Sequence, residues 1–199
     1  MINNLSIRIA NKLVSNKTIS KNDYELYIYG LFMLISQLMY LIITIIFGFI
    51  FSCIFESIIF YISFQCIRKF AGGYHASTEL KCEILTTLSI LVCTAIIHLS
   101  HIYNFQTLLL IISGFASLFI FIMCPIDTYE KPLSEKEFKY FRKISMIILF
   151  AIITIITITF ILKFNYLFIP LCLSLILEGL LIVTGKIKKK KFESKSNRT

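Results

Sequence analysis

Six long apolar runs separated by short polar stretches organise this chain of 199 residues. They extend approximately from Tyr27 to Phe47, Phe49 to Ile67, Ile84 to Tyr103, Thr107 to Ile126, Ile144 to Leu162 and Tyr166 to Thr184. Each run is continuously apolar rather than alternating, which predicts helices and argues against the strands of a membrane barrel. A hydrocarbon core about 30 Å thick takes about 20 apolar residues per helix, so every run has roughly spanning length. The first two runs adjoin, with Gly48 between uncharged flanks as the expected turn. The expected fold is all-α and polytopic, a single membrane domain over residues 1–199 with six transmembrane helices. Within it, residues 1–26 form an N-terminal segment, 27–184 the bundle and 185–199 a basic tail.

Composition excludes a water-soluble domain: 57% of residues are hydrophobic, only 16% are charged, and mean hydropathy is +0.83, whereas soluble domains are about half apolar. The first 26 residues carry Arg8, Lys12, Lys17 and Lys21 without a compact apolar core and small-residue cleavage site, so a removable signal peptide is not expected. Ile2, Leu5, Ile9 and Leu13 recur at helical spacing, as in an amphipathic helix lying in the membrane plane; a solvated tail is the alternative. Ser20 followed by Asp23 resembles a capping box opening the first span.

Basic residues mark one membrane face. Four lie in the N-terminal segment, three between the second and third runs (Arg68, Lys69, Lys81), five from Asp127 to Lys143 and seven in the tail, which is 19 of the chain's 20. Lys163 is the exception, and the two remaining connections have none. Lysine and arginine bias short loops toward the cytoplasm. With six spans, that places both termini and the polar loops 68–83 and 127–143 inside, and the net charge of +9 describes that face. Anionic lipid headgroups are the partners such a face expects. Nucleic acid is not, because no soluble domain or recognised binding motif is visible.

Cys53, Cys66, Cys93, Cys124 and Cys172 lie in apolar runs, where cysteine behaves as a small hydrophobe. Cys82 lies instead in the polar stretch Arg68 to Glu83, with His75 seven residues before it. One histidine and one cysteine without C-x-x-C spacing are too few for a closed zinc site, so no metal or other cofactor is expected. A histidine can take a thiol proton when its ring nitrogen comes within about 2.6–3.2 Å. On one straight helix, residues seven apart are about 10 Å apart along the axis, too far in most rotamers. The pair therefore demands a bend, for which Gly72-Gly73 is the means. If Ser77 or Thr78 caps the next helix, Cys82 falls in its first turns, where the helix dipole favours a thiolate. Spacing alone leaves an ordinary interhelix loop as an equal alternative.

Arg68, Gly72-Gly73-Tyr74-His75-Ala76 and Cys82 resemble the signature of the AgrB family, membrane-embedded cysteine endopeptidases of bacterial accessory gene regulator quorum sensing. Pro125-Ile126-Asp127 and Lys131-Pro132-Leu133 resemble that family's second polar loop, and the likeness covers nearly the whole chain. The basic tail from Lys186 matches no motif. The resemblance implies a bacterial cell-membrane enzyme that removes the acidic C-terminal tail of an AgrD-like precursor peptide and closes a thiolactone ring. It implies Cys82 as nucleophile and His75 as the base that activates it, then the acid that protonates the leaving amine. A cysteine of the substrate would attack the resulting thioester, an exchange near balance in bond energy, so water must be excluded and the peptide held close.

A third group should orient His75. Asp127 is the first candidate, by topology, and Glu79 the second, by proximity; an ordinary loop charge is the favoured reading of either. Arg68, Lys69 and, more weakly, Gln65 are candidates to stabilise an oxyanion or hold the acidic tail, beside the plain role of membrane anchors for the two cations. Glu56 and Glu178 sit inside apolar runs, with His98 and His101 near the outer end of the third, and such groups are expensive in lipid. They keep two other functions open: a small transporter lined by these residues, or a catalytically silent scaffold for peptide maturation. Homodimerisation is compatible with the family and left open by the residues.

Overall fold

In a computed structural model, residues 2–16, 18–20, 23–74, 76, 78–126 and 133–196 are described. Among the described residues seven helices follow one another: α1 (Ile2–Ser15), α2 (Tyr24–Ile50), α3 (Ile54–Ala71), α4 (Glu79–Ser100), α5 (Gln106–Met123), α6 (Glu135–Ile161) and α7 (Asn165–Ser196). By length and composition five can cross a membrane: α2, α4 from Leu80, α5, α6 and α7 as far as Lys190. The sequence led to six spans. The difference is α3, whose 18 residues include Glu56, Arg68 and Lys69 and bury one face, from Glu56 through Phe60, Phe64 and Ile67 to Ala71, in protein. The chain divides into two compact units, Met1–Ile43 and Thr44–Thr199.

In the first unit Tyr24 Oη donates to Asn11 Oδ1 at 2.6 Å, joining the start of α2 to α1. Ser20 and Asp23 meet differently from a capping box. The Ser20 hydroxyl donates to the Asp23 carboxylate at 2.8 Å, the Asp23 N–H donates to the Ser20 carbonyl at 3.2 Å, and α2 begins at Tyr24.

In the second unit the α2–α3 corner corrects a sequence expectation. Gly48 is not the turn; it is buried inside α2, where a Cβ would lie 2.8 Å from Ile54 Cα. The turn falls at Phe51-Ser52-Cys53. Ser52 takes φ +55, the Cys53 N–H reaches the Gly48 carbonyl at 2.8 Å, and the Ser52 N–H reaches Phe49 at 3.2 Å. That pair of bonds is a Schellman motif, which satisfies carbonyls left orphaned at a helix end. Lys163 closes α6 in the same way, with φ +55 and the Phe164 N–H on the Thr159 carbonyl at 2.9 Å.

Helix α6 opens at Ser134 with a reciprocal capping box to Glu137, ten residues before the apolar run begins at Ile144. Helix α7 continues past Thr184 through most of the basic tail, to Ser196. It is the central helix: Phe168, Cys172, Leu175 and Ile182 are buried beside Phe60 and Ile67 of α3, Ile120 of α5 and Leu149 of α6. Lipid tails are as apolar as leucine, so such helices associate through close van der Waals packing rather than burial. Gly179 permits it, since a Cβ there would stand 2.9 Å from Ala116 Cβ of α5.

Candidate functional site

Helix α3 stops at Ala71 because the next residues leave helical space: Gly72 has φ +74 and Gly73 φ +122, which side-chain-bearing residues resist. Glycine is also required sterically. A Cβ on Gly72 would collide with the Ile126 carbonyl oxygen, and one on Gly73 with the Arg68 guanidinium. The backbone pairs across this point. The Ile126 N–H donates to the Ala71 carbonyl at 2.9 Å, giving a short parallel bridge between Gly72 and Ile126. The Tyr74 N–H donates to the Leu181 carbonyl of α7 at 2.8 Å.

Arg68, in the last turn of α3, closes over this segment. Its Nη1 donates to the Gly72 carbonyl and its Nη2 to the Tyr74 carbonyl. Its side chain is 16% exposed, and Nη1 lies 3.8 Å from Oε1 of Glu178, whose side chain is wholly buried. Lys69 is exposed, with Nζ 5.7 Å from the centre of the Phe70 ring. Gln65 Nε2 donates to Tyr61 Oη at 3.0 Å. Neither of these side chains joins the Arg68 cluster.

Thr78 caps α4. Its backbone is extended and its side-chain oxygen accepts the Lys81 N–H at 3.4 Å, and Glu79 is the first helical residue. Cys82 makes the first regular helical bond, its N–H to the Thr78 carbonyl at 3.1 Å. The thiol is half-buried in the first turns of the helix, close to the positive end of its dipole. His75, Ser77 and Asp127 lie outside the described residues. Ile126, the residue before Asp127, is the one bonded to Ala71, and Tyr74, the residue before His75, is the one bonded to α7.

The other thiols differ in setting. Cys53, Cys93, Cys124 and Cys172 are buried, whereas Cys66 is exposed on α3. Cys53 and Cys124 lie in connections, and burial pushes both thiols up, Cys124 to about 11. Among the described residues no group of three or more histidine, cysteine, aspartate or glutamate side chains could hold a metal ion.

At the other end of α3, His101 Nε2 stands 3.3 Å from Glu56 Oε1. A cavity of about 170 Å³ opens beside them, lined also by Ser100, Asn165 and Tyr166. From the sequence, Glu178 is expected at the cytoplasmic interface or paired within the bundle and Glu56 nearer the outer boundary, far from the proposed chemistry; in the structure Glu178 faces Arg68, and Glu56 faces His101. An acid in lipid must have a partner. That rule signalled that each had one but not which.

A bundle of apolar spanning helices, with a glycine-broken loop and a half-buried cysteine at the head of α4, defines a multi-pass membrane protein. The family described as Accessory gene regulator B, AgrB, matches residues 6–182, and the chain belongs to that family. It is 30% identical over 172 residues to "Putative AgrB-like protein 2" of Clostridium perfringens (strain 13 / Type A), covering 83% of this chain and 80% of the relative. The same identity and coverage hold for "Putative AgrB-like protein" of Clostridium perfringens (strain SM101 / Type A). "Putative AgrB-like protein 1" of strain 13 is 28% identical over 162 residues, covering 75% of this chain and 84% of the relative. No solved structure matches the chain significantly.

Proposed function

We propose that this chain is a membrane cysteine endopeptidase that trims and cyclises an AgrD-like precursor peptide for quorum sensing. The observation that carries this reading is the break after Ala71: it turns the chain at Gly72-Gly73 and starts a new helix at Glu79 with Cys82 in its first turns. Only three residues separate Tyr74 from the Thr78 cap, so at about 3.3–3.6 Å per residue the link stays short. In this reading the short link carries the histidine that serves Cys82.

In this reading Cys82 Sγ attacks the carbonyl of the scissile peptide bond while His75 takes the thiol proton. The C–N bond then breaks, His75 returns the proton to the departing amine, and the acyl group remains on Cys82 as a thioester. A substrate cysteine gives its thiol proton to His75 and attacks that thioester; its sulfur forms the new C–S bond, the bond to Cys82 breaks, Cys82 leaves as thiolate paired with protonated His75, and a cyclic thiolactone is released. Asp127 is the proposed orienting group for His75, supported by the bond between its neighbour Ile126 and Ala71. Glu79 is the second choice. Of the remaining candidates, Lys69 is free in geometry to meet an acidic peptide tail, whereas Arg68 is engaged with Gly72, Tyr74 and Glu178.

The proposed topology has α3 crossing as a sixth span sheltered by protein, with both termini and the loop bearing Cys82 in the cytoplasm. Eighteen residues reach about 27 Å, and the charges sit at the two ends of α3, leaving Ser57–Ile67 uncharged between them. The test uses purified protein in lipid vesicles with a synthetic AgrD-like precursor peptide. Cys82→Ser and Cys82→Ala should abolish cleavage, by about 10⁴-fold or more, while the protein stays folded and inserted. Full activity in either variant would sink the assignment. The Glu56–His101 cavity is what favours the alternative of transport; that reading predicts loss in Glu56→Gln and indifference at Cys82, the reverse pattern.

A further inference from the structure

Glu178 is the most completely buried charged side chain among the described residues: its exposure is 0%, and neither carboxylate oxygen has a hydrogen-bond partner. A buried ion pair seldom contributes net stability, because desolvating two charges offsets their attraction, and an apolar pair of similar volume serves as well or better. Stability therefore gives little reason for an acid here, and its geometry gives another. Glu178 lies 3.8 Å from the same Arg68 Nη1 that donates to the Gly72 carbonyl, on a guanidinium whose other arm holds the Tyr74 carbonyl.

The rest of that face of α7 also grips the segment. Residues 178, 181, 185 and 188 recur at helical spacing, so they share one stripe. Leu181 accepts the Tyr74 N–H at 2.8 Å. At Gly185 a Cβ would lie 2.7 Å from Tyr74 N and 2.8 Å from the Gly73 carbonyl carbon, so bare backbone lets the loop lie against the helix. Lys188 Nζ stands 5.1 Å from the centre of the Tyr74 ring, within the range of a cation–π contact. Three of the four hold Gly73 or Tyr74 directly; Glu178 holds them through Arg68.

Granted the peptidase reading above, on which this rests, we infer that Glu178 is a positioning residue: through Arg68 it fixes the backbone of Gly72–Tyr74 and so presents the loop to Cys82. A guanidinium is a planar fork that serves two acceptors at once, but it needs something to set its rotation. A carboxylate on the central helix, itself held by packing, supplies that reference. Removing the carboxylate leaves Arg68 able to bond either carbonyl and free to swing out to the basic, water-facing surface. The loop then samples more arrangements, and fewer are competent for attack. Substrate binding elsewhere on the protein is not affected, so the loss falls on turnover.

The experiment uses full-length protein with Cys66→Ser as background, because Cys66 is also exposed. Two readouts are taken in lipid vesicles: steady-state cleavage of the precursor peptide, and the rate at which iodoacetamide alkylates Cys82 at neutral pH. Glu178→Gln, nearly isosteric, should lower kcat by roughly tenfold to a hundredfold with KM within about twofold, as expected for losing one charge-assisted contact. It should slow Cys82 alkylation in the same direction as His75→Ala does. Glu178→Asp, which keeps the charge one methylene farther away, should recover part of both. If Glu178→Gln does not insert, the double variant Arg68→Met with Glu178→Met removes both charges together and should insert stably yet cleave poorly. Wild-type kcat and alkylation in Glu178→Gln, or wild-type cleavage in the double variant, would overturn the inference. Failure of the peptidase reading is seen separately: His75→Ala would then leave the alkylation rate unchanged, whatever Glu178 does.

Discussion

A thiol is a nucleophile only when it can ionise, and the fold separates this chain's six cysteines on that ground. Cys124 is buried after α5, and its thiol is pushed up to about 11. The sign follows: burial disfavours the charged form, so the thiolate appears only as pH rises toward that value. At pH 8 about one Cys124 thiol in a thousand is ionised. Iodoacetamide at that pH should therefore label Cys66 and Cys82 and spare Cys53 and Cys124, read by mass spectrometry of the peptides; labelling of Cys124 as fast as Cys66 would contradict the burial. Sequence reading singled out Cys82 from its polar neighbours, but it grouped Cys66 with the core. Its run is apolar, and which face of α3 is covered depends on α6 and α7, which come much later in the chain.

Where helices start and stop was legible wherever the reason is local. Gly72-Gly73 ends α3 because both residues need positive φ, and Thr78 caps α4 because a threonine oxygen can accept a free N–H. Thr78→Ala should lower stability by about 1 kcal/mol, the usual value of a cap. Amide exchange should quicken in the first turn of α4, from Glu79 to Cys82, with α5 unaltered, and cleavage should weaken with it; unchanged protection there would show that the cap does not hold that turn. Other boundaries were misread. The α2–α3 corner was put at Gly48, but Ser52 takes the left-handed conformation, and the glycine is spent on a close approach by Ile54. Both uses of glycine look alike in a sequence. At Ser20 and Asp23 the right pair was found with the wrong bond, since a hydroxyl donates to a carboxylate as readily as it accepts an N–H.

At the scale of the whole molecule, the alternation of basic and non-basic connections carries the proposed topology. In a Cys66→Ser background, a maleimide that cannot cross membranes should reach Cys82 in inside-out vesicles and fail to reach it in intact cells. Reaction from outside would reverse the orientation. The same scale changes what the intramembrane acids are worth as diagnostics. Both Glu56 and Glu178 first counted as lining for a transport path. With Glu178 placed against Arg68 and the loop, the proposed positioning role predicts that its substitution lowers cleavage too, so Glu56 at the opposite end of α3 is the acid left to separate transport from peptide processing.

The sequence alone determined that this is a helical membrane protein, that its basic residues cluster in alternate connections and that the chain must bend at Gly72-Gly73, and it singled out His75 and Cys82, on which the proposed chemistry rests. Each is a local property: apolar length, charge count, backbone freedom and residue type act within a helix or a loop. Only the tertiary structure decided that α7 is the central helix and that its stripe of Glu178, Leu181, Gly185 and Lys188 grips a loop more than a hundred residues earlier in the chain. Among apolar helices in lipid, hydrophobicity does not choose partners. Small residues, hydrogen bonds and buried charges do, and their pairings exist only once the helices are packed.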